Sequence, residues 1–300
     1  MSAVFLFPGQ GSEVPGMGGA SLTRSGPART LVERVSAALA VDVVAIIARG
    51  DPALARTEVG QPALVALGIG LALEFAAQGN APAAVAGHSV GEVAAFCLAG
   101  CLAPEEAVDC VIERARLMGL AARATPGGMA AVRVGSEELL TEALALGATA
   151  GNVDLAAHNS PQEWVVSGDR KALAAITARF ATVPLAVAGP WHSRSLADVG
   201  VRWRQTLAGI HWERPRVPLV ANATGRFVDD DDDLGDLLAG QLSQPVRWAE
   251  TLRTLCDRLP DPRWHIFGPG RVLRGLCRAN VGTSASVELH DGDLLPEERS

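Results

Sequence analysis

The stretch that decides the fold is Ala83-Ala84-Val85-Ala86-Gly87-His88-Ser89-Val90-Gly91-Glu92, which a second apolar run over residues 93–99 follows. Its small and β-branched residues predict a buried strand, and the alanine-rich run predicts a helix. Between them, Gly87-x-Ser89-x-Gly91 predicts the sharp turn called a nucleophile elbow, in which flanking glycines permit a tight backbone. The new helix directs free N–H groups at the serine oxygen. Ser89 is therefore the candidate nucleophile.

Length and composition set the class of protein. A chain of 300 residues with 48% hydrophobic content can bury a large core, as one big domain or as two unequal ones. No run reaches the roughly 18 uninterrupted apolar residues that a membrane span needs. The first residues lack the basic segment of a signal peptide. The sequence therefore predicts a soluble protein of the cytoplasm, without a membrane partner.

The charge pattern excludes several kinds of site. A net charge of −7 argues against a nucleic-acid partner, because nucleic-acid binders are normally basic. Lys171 is the only lysine, so a Walker-type phosphate loop is excluded. The five cysteines form no C-x-x-C pair and are expected to be free thiols, most of them buried.

No metal is predicted. The six histidines are dispersed, and no H-E-x-x-H pattern occurs. The acidic run at residues 229–233 lacks the alternating spacing of a calcium loop. We expect it to form a solvated loop whose charge favours the N-terminus of the following helix.

The first half of the chain reads as alternating strands and helices. Residues 4–7 predict a strand that runs into a glycine-rich loop containing Gln10, at the sheet edge where open α/β folds bind ligands. An ordinary turn is the alternative. Residues 31–47 have helical spacing, and a buried helix over residues 65–75 is expected to begin near Pro62. A further helix begins at Pro104, carries Arg114 and ends at residues 125–128.

The pattern changes at Met129. Strands are predicted over residues 129–134, 153–157, 164–167 and 182–185, with helices over 136–146 and 169–180. This β-α-β-β-α-β order is the ferredoxin-like plan. We therefore expect a small domain at residues 127–190, inserted into a large α/β domain of residues 1–126 and 191–300. Asn159-Ser160-Pro161 is predicted to be a turn, although such a polar trio can also line a cleft.

The rest of the chain returns to the large domain at His192. This histidine stands at a loop-to-helix junction and could be either catalytic or structural. Helices are predicted over residues 195–207, 234–242, 246–259 and 272–280, and strands over 217–222 and 264–267.

Nine short motifs occur in register along the chain. They are Phe7-Pro8-Gly9-Gln10-Gly11-Ser12, Gln61-Pro62-Ala63-Leu64, Gly87-His88-Ser89-Val90-Gly91-Glu92, Glu113-Arg114-Ala115-Arg116-Leu117-Met118, Gly128-Met129-Ala130-Ala131-Val132, Asn159-Ser160-Pro161, His192-Ser193, Gln244-Pro245-Val246-Arg247-Trp248 and Gly268-Pro269-Gly270-Arg271-Val272-Leu273. In this order the chain resembles the malonyl-CoA:acyl-carrier-protein transacylases and the acyltransferase domains of polyketide synthases. The resemblance runs from Val4 to about Asn280 and implies an α/β-hydrolase-like large domain with a ferredoxin-like insertion.

The resemblance also implies roles for individual residues. Ser89 would be the acylated nucleophile and His192 the general base and acid. Backbone N–H groups of Gln10 and Val90 would bind the oxyanion. The main-chain carbonyl of Gln241 would orient the histidine where other triads use an aspartate.

Five residues are implied to bind the acyl group: Arg114, Gln61, Asn159, Trp191 and His88. A guanidinium fork at Arg114 matches the free carboxylate of malonyl in bidentate fashion. The alternative is a surface arginine paired with Glu113 or Glu106. Trp191 departs from the Phe or Ser usual before the family's histidine, so a different acyl donor stays open.

The sequence thus predicts an enzyme that moves malonyl from malonyl-CoA, through Ser89, to the phosphopantetheine thiol of an acyl carrier protein. Fatty-acid biosynthesis, polyketide biosynthesis and malonate decarboxylation stay open as the pathway it serves. It is expected to be a monomer without a cofactor. The alternatives are an acyltransferase with another donor, a hydrolase that removes acyl groups from a carrier, and a catalytically silent module that docks carrier proteins.

Overall fold

The computed structural model describes residues 2–292, so the last eight residues of the predicted large domain lie outside the described part. Its strands are β1 (Ala3–Phe7), β2 (Ala84–Gly87), β3 (Gly128–Arg133), β4 (Val153–Ser160), β5 (Glu163–Gly168), β6 (Thr182–Pro184), β7 (Arg263–Phe267) and β8 (Val287–His290). Its helices are α1 (Gly19–Thr23), α2 (Pro27–Leu39), α3 (Val43–Arg49), α4 (Thr57–Ala76), α5 (Gly91–Leu98), α6 (Pro104–Ala124), α7 (Glu137–Ala148), α8 (Arg170–Thr177), α9 (Ala197–Leu207), α10 (Leu234–Gly240), α11 (Trp248–Arg258) and α12 (Arg271–Val281).

A parallel sheet of four strands, in the order β2-β1-β7-β8, carries the large domain. Helix α4 contacts β1 and β7, and α5 contacts β1 and β2. Strand β1 is buried along residues 4–7, which explains its unbroken apolar sequence. Phe7 at the end of β1 lies opposite Gly87 at the end of β2. The glycine-rich loop and the elbow therefore leave the sheet side by side.

The second sheet is antiparallel and has the strand order β4-β5-β3-β6. Its strands and helices follow one another in the predicted β-α-β-β-α-β order. Side chains alternate between its faces. Val132 and Val166 pack with α7 and α8, whereas Ala131 and Val165 face the large domain. The mixed α/β fold class is confirmed; the domain boundaries at residues 127 and 190 stay predictions.

Helix α4 begins earlier than predicted. It begins at Thr57 and contains Pro62 in its second turn, where we had expected the proline to stand near the start. Thr57, Gly60 and Gln61 are buried, and this packing outweighs the backbone hydrogen bond that proline cannot donate. By length and composition α4 could cross a membrane, but 78% of its most apolar window is buried inside the protein. It is a core helix.

Two other predictions were wrong in extent, and one strand was missed. Residues 31–47 form two helices, because Ala40 takes a φ of 54° and Asp42 caps α3 by accepting from the Ala45 N–H. Residues 217–222 form isolated bridges at Leu219 and Val220 instead of a strand; Pro218 cannot donate to a ladder there. The short edge strand β8 was not predicted at all.

Candidate active site

Ser89 occupies a strained turn between β2 and α5. Its φ is 52°, in the left-handed region that side chains normally avoid. The flanking glycines are required by packing. A Cβ at Gly87 would lie 2.1 Å from the Gly91 carbonyl, and one at Gly91 would lie 2.3 Å from the Phe7 oxygen. The geometry is that of the predicted nucleophile elbow.

His192 lies within hydrogen-bonding distance of Ser89. Its Nε2 is 2.7 Å from the Ser89 Oγ, and its Nδ1 is 2.8 Å from the main-chain oxygen of Gln241. A carbonyl can only accept, so Nδ1 carries the hydrogen and Nε2 is free to accept the serine proton. Burial, with the nearby Arg114 cation as a second cause, lowers the pKa of His192 to about 3. The ring is therefore a neutral base at neutral pH.

Two backbone N–H groups stand beside the serine. Val90 is the N-cap of α5, and Gln10 lies in the loop that leaves β1 next to the elbow. Within residues 2–292, neither N–H donates to an acceptor. The side chain of Gln10 is engaged elsewhere: it accepts from the Gln61 amide at 2.8 Å and donates to the Thr57 hydroxyl at 3.1 Å.

A cavity of about 270 Å³ opens over Ser89 and His192, between the parallel sheet and the antiparallel one. One wall comes from the small sheet, through Ala131, Ala157 and Val165. The predicted site residues that line it are Gln10, Gln61, His88, Ser89, Asn159, Trp191 and His192. Val90, Arg114 and Gln241 do not line it. The cavity is mostly apolar, with a few polar groups beside the serine, as in small-molecule sites.

Arg114 lies behind the cavity wall. It is fully buried, and its guanidinium donates to the side-chain oxygens of Gln61 at 2.6 Å and Gln241 at 2.7 Å. Its Nε has no partner among the described residues. The alternative of a surface arginine is wrong, since Glu113 pairs with Arg116 instead. Burial lowers the pKa of Arg114 to about 9, so the group stays cationic at neutral pH.

His88 and Asn159 join the two domains at the cavity. The His88 Nε2 lies 2.9 Å from the Asn159 Oδ1, and burial lowers the pKa of His88. Asn159 belongs to β4 and not to the turn that we predicted, because pairing continues to Ser160. The cleft-lining alternative for this trio is therefore the better description of Asn159.

Trp191 is 3% exposed and forms part of the cavity wall. Its ring packs against Gly189, where a Cβ would lie 2.7 Å from the indole. Its Nε1 finds no partner in the part of the chain that the structure describes. The indole thus takes up space in the cavity wall next to His192, and no hydrogen bond within the described residues fixes it.

Sequence reasoning missed two polar residues behind the elbow. Asn222 accepts from the Ser89 N–H at 2.8 Å, and Glu92 accepts from the Asn222 N–H at 2.6 Å. Glu92 belongs to the elbow motif, but the motif assigns it no role. Asn222 gave one usable signal, a polar residue directly after the apolar run at residues 217–221.

Three potential metal ligands that do not line this cavity lie close to one another. The His265 Nδ1 is 2.9 Å from the His290 Nε2 and 3.6 Å from the Glu288 carboxylate, across the β7–β8 pair. The 2.9 Å between the two ring nitrogens is the length of a hydrogen bond between neutral imidazoles. Burial lowers the pKa of His290 to about 4, in keeping with that state. The absence of a resident metal stays a prediction.

Comparison with known sequences gives a consistent result. Residues 4–262 match the profile of the acyl transferase domain family. The malonyl CoA-acyl carrier protein transacylase of Synechocystis is 33% identical over 281 residues, covering 93% of each chain. The polyketide biosynthesis protein ThaF of Burkholderia thailandensis is 35% identical over 285 residues. That match covers 91% of this chain but 24% of the longer protein.

Solved structures agree with the sequences. The malonyl CoA-acyl carrier protein transacylase of Clostridium perfringens superposes with a TM-score of 0.89 at 25% identity, over 97% of this chain and 93% of that one. A second neighbour is a malonyl-transacylase in complex with a holo type II polyketide acyl-carrier protein, with a TM-score of 0.87 at 28% identity. It covers 96% of this chain and 95% of that chain.

Proposed function

The chain belongs to the acyl transferase family, and we propose that it carries a malonyl group from malonyl-CoA to an acyl carrier protein as an ester of Ser89. The observation that carries this proposal is the arrangement of Ser89, His192 and the Gln241 carbonyl, at 2.7 and 2.8 Å. Serine, neutral base and orienting acceptor are the groups that covalent acyl transfer needs.

In the first half-reaction, the Ser89 Oγ attacks the thioester carbonyl while His192 Nε2 takes its proton. The resulting oxyanion lies beside the N–H groups of Gln10 and Val90, and each such donor is typically worth about 3–4 kcal/mol in the transition state. When the C–S bond breaks, the imidazolium returns the proton to the departing CoA thiolate. Ser89 is left as the malonyl ester.

In the second half-reaction, the carrier's phosphopantetheine thiol attacks that ester. His192 takes the thiol proton and then gives it to the Ser89 oxygen as that oxygen leaves. Malonyl-CoA and the phosphopantetheine arm are both substrates, and we propose that no cofactor takes part. A ping-pong pattern follows, because CoA leaves before the carrier reacts.

The carrier protein requires a docking surface near the cavity mouth. Helix α12 lies there: Val272 lines the cavity and is 57% exposed. Arg271 and Arg278 on the same helix are exposed and have no ion-pair partner between residues 2 and 292. We propose that these arginines receive a negatively charged carrier and that Val272 packs beside its arm. This places a local basic surface on a protein whose net charge is −7.

Arg114 is proposed to select the donor through its charge. The Gln61 side-chain oxygen lies 2.6 Å from the Arg114 guanidinium. We propose that the malonyl carboxylate displaces this oxygen as the Gln61 side chain turns. An acetyl group has no anion to offer and would leave the Gln61 contact in place.

Intact-protein mass spectrometry after brief exposure to malonyl-CoA tests the proposal. We expect a malonyl adduct on Ser89 that disappears when a holo carrier protein is added, with malonyl-carrier as the product. A hydrolase that acts on the carrier would instead release free malonate from malonyl-carrier, so that no malonyl-carrier accumulates. A protein that takes no adduct from malonyl-CoA but takes one from another acyl-CoA would assign a different donor. Monomeric state and cytoplasmic location stay predictions; light scattering tests the first.

A further inference from the structure

A buried carboxylate lies directly behind the catalytic pair. Glu92 is the second residue of α5, three positions after Ser89, and none of its surface is exposed. The helix N-terminus favours an acid there. A fully buried carboxylate is nevertheless costly unless hydrogen bonds satisfy it. No step of the proposed transfer uses Glu92, so its burial calls for another explanation.

One carboxylate oxygen holds the residue that fixes the elbow. The Glu92 Oε1 accepts from the Asn222 N–H at 2.6 Å. The Asn222 side chain then accepts from the Ser89 N–H at 2.8 Å and donates to the Gly87 oxygen at 2.6 Å. These two bonds bracket the strained turn. Asn222 thereby stabilises the positive φ of Ser89, which points its Oγ at His192.

The other carboxylate oxygen holds the residue that orients the base. The Glu92 Oε2 accepts from the Gln241 side-chain amide, which also donates to the Ser89 oxygen at 2.7 Å. The main-chain oxygen of Gln241 receives the His192 Nδ1 hydrogen. Movement of Gln241 would therefore rotate the imidazole and change the Nε2 to Oγ distance.

We infer that Glu92 is a positioning residue of the transfer reaction, one carboxylate that holds the nucleophile through Asn222 and the base through Gln241. The inference rests on the proposed function, since it assigns Glu92 a part in the chemistry of Ser89. It explains why a charge is tolerated at this depth. Each oxygen is matched to a donor, and each donor belongs to a residue in contact with the catalytic pair.

The ionised state of Glu92 matters for this role. Both partners donate, so a protonated oxygen would meet an N–H instead of accepting from it. Burial raises the pKa of Glu92 to about 7, against the lowering effect of its hydrogen bonds and of the Arg114 cation on α6. Arg114 is the charged group that faces it; His192 is the titratable group bonded to the same glutamine. The positioning of Ser89 and His192 is therefore lost as pH falls through the pKa of Glu92, about 7.

Glu92→Gln tests the inference. The amide oxygen can still accept from Asn222, but its NH₂ meets the NH₂ of Gln241, so the variant imitates a protonated glutamate. Misplacement of this kind costs up to about 100-fold in rate. We expect single-turnover acylation to be about 10- to 100-fold slower, with the KM for malonyl-CoA unchanged. The wild-type rate should fall below about pH 7, and the variant should lose that dependence.

Glu106→Gln is the matched control. Glu106 is also a first-turn acid, on α6, where it accepts from the Ala103 N–H at 3.0 Å, and it does not line the cavity. Its variant should keep the wild-type rate and pH profile. If Glu92→Gln does not fold, Asn222→Ala, which keeps the carboxylate, should show the same loss of rate at unchanged KM.

Two results would overturn the inference while leaving the proposed function intact. One is a folded Glu92→Gln, or Asn222→Ala, that acylates at the wild-type rate. The other is a fall of the acylation rate below about pH 7 that is the same in Glu92→Gln and in wild type. If wild-type Ser89 takes no acyl group, the proposed function itself has failed, which is a distinguishable outcome.

Discussion

Replacement of Arg114 by alanine should separate charged from uncharged donors. The contact that we propose between Arg114 and the malonyl carboxylate is a charge-assisted hydrogen bond to a fully buried guanidinium. Such bonds contribute about 1.5–3 kcal/mol each. Loss of one such contribution lowers kcat/KM for malonyl-CoA by about 10- to 150-fold. Acetyl-CoA makes no such contact, so its kcat/KM should be unchanged or should rise.

The same substitution has a structural cost that must be measured separately. Arg114 donates to the side-chain oxygens of Gln61 and Gln241, both within the protein. Each buried acceptor left without a donor costs about 1–3 kcal/mol of folding free energy. A lower Tm is therefore expected, and kinetics should be measured well below it. Because Gln241 also holds His192, any displacement of Gln241 would slow both donors equally, so only the ratio of the two kcat/KM values isolates the carboxylate contact.

The assay compares single-turnover acylation by malonyl-CoA and acetyl-CoA across three proteins. Wild type and Arg114→Ala are set against Arg116→Ala, which removes an exposed arginine two residues away that pairs only with Glu113. The quantity that decides is the ratio of the two kcat/KM values. An equal loss for both donors in Arg114→Ala would refute the carboxylate contact and leave Arg114 a structural role. A change of the ratio in Arg116→Ala would point to long-range charge instead.

Three further predictions follow from the site. Ser89→Ala should stay folded and take no acyl adduct from malonyl-CoA; an adduct on a cysteine of that variant would contradict the assignment. Trp191→Ser should raise the methylmalonyl-to-malonyl ratio of kcat/KM by about 5- to 150-fold, because overpacking costs about 1–3 kcal/mol; a wild type that already prefers branched donors would refute it. The free energy of unfolding should fall as pH drops below about 6.5. Histidines exposed in the unfolded chain bind protons in that range, whereas the same histidines stay neutral when they are buried in the folded protein. Glu92 acts in the opposite sense, because its raised pKa makes the folded state bind a proton first. Urea titrations at several pH values measure the combined effect of the histidines and Glu92 on the free energy of unfolding. A free energy of unfolding that rises on acidification would contradict this prediction. Burial lowers the pKa of His88, His192, His265 and His290.

The elbow could be predicted because its signal is local. Strand, glycine spacing and helix all lie within residues 83–99, and the positive φ of Ser89 follows from them. The ferredoxin-like order was predictable for the same reason, since each of its elements has its own periodicity. Errors occurred where neighbours in space outweigh local preference. Packing continues α4 through Pro62, and Ala40 breaks a pattern that is helical on both sides.

The surroundings of the pair could not be predicted from spacing. Gln241 is 152 residues from Ser89 in sequence, and Asn222 is 133 residues away. The residues next to Gln241 and Asn222 in sequence give no signal that either side chain contacts the elbow. The Gln241 carbonyl came from the resemblance to a family, because a main-chain acceptor leaves no signature of residue type. Its side-chain contacts to Arg114 and Glu92 were not foreseen at all.

If Arg114 binds the donor as we propose, donor recognition and catalysis share Gln241. The Gln241 side-chain oxygen accepts from Arg114, its amide donates to Glu92 and the Ser89 carbonyl, and its main chain holds His192. A carboxylate bound at Arg114 therefore changes the charge next to the residue that sets the geometry of the base. Since Arg114 lies behind the wall, a donor reaches it only by displacing Gln61, which is bonded in turn to Gln10. In the proposed reaction, selectivity for a charged donor thus depends on the same connected side chains that hold Ser89, His192 and the loop containing Gln10.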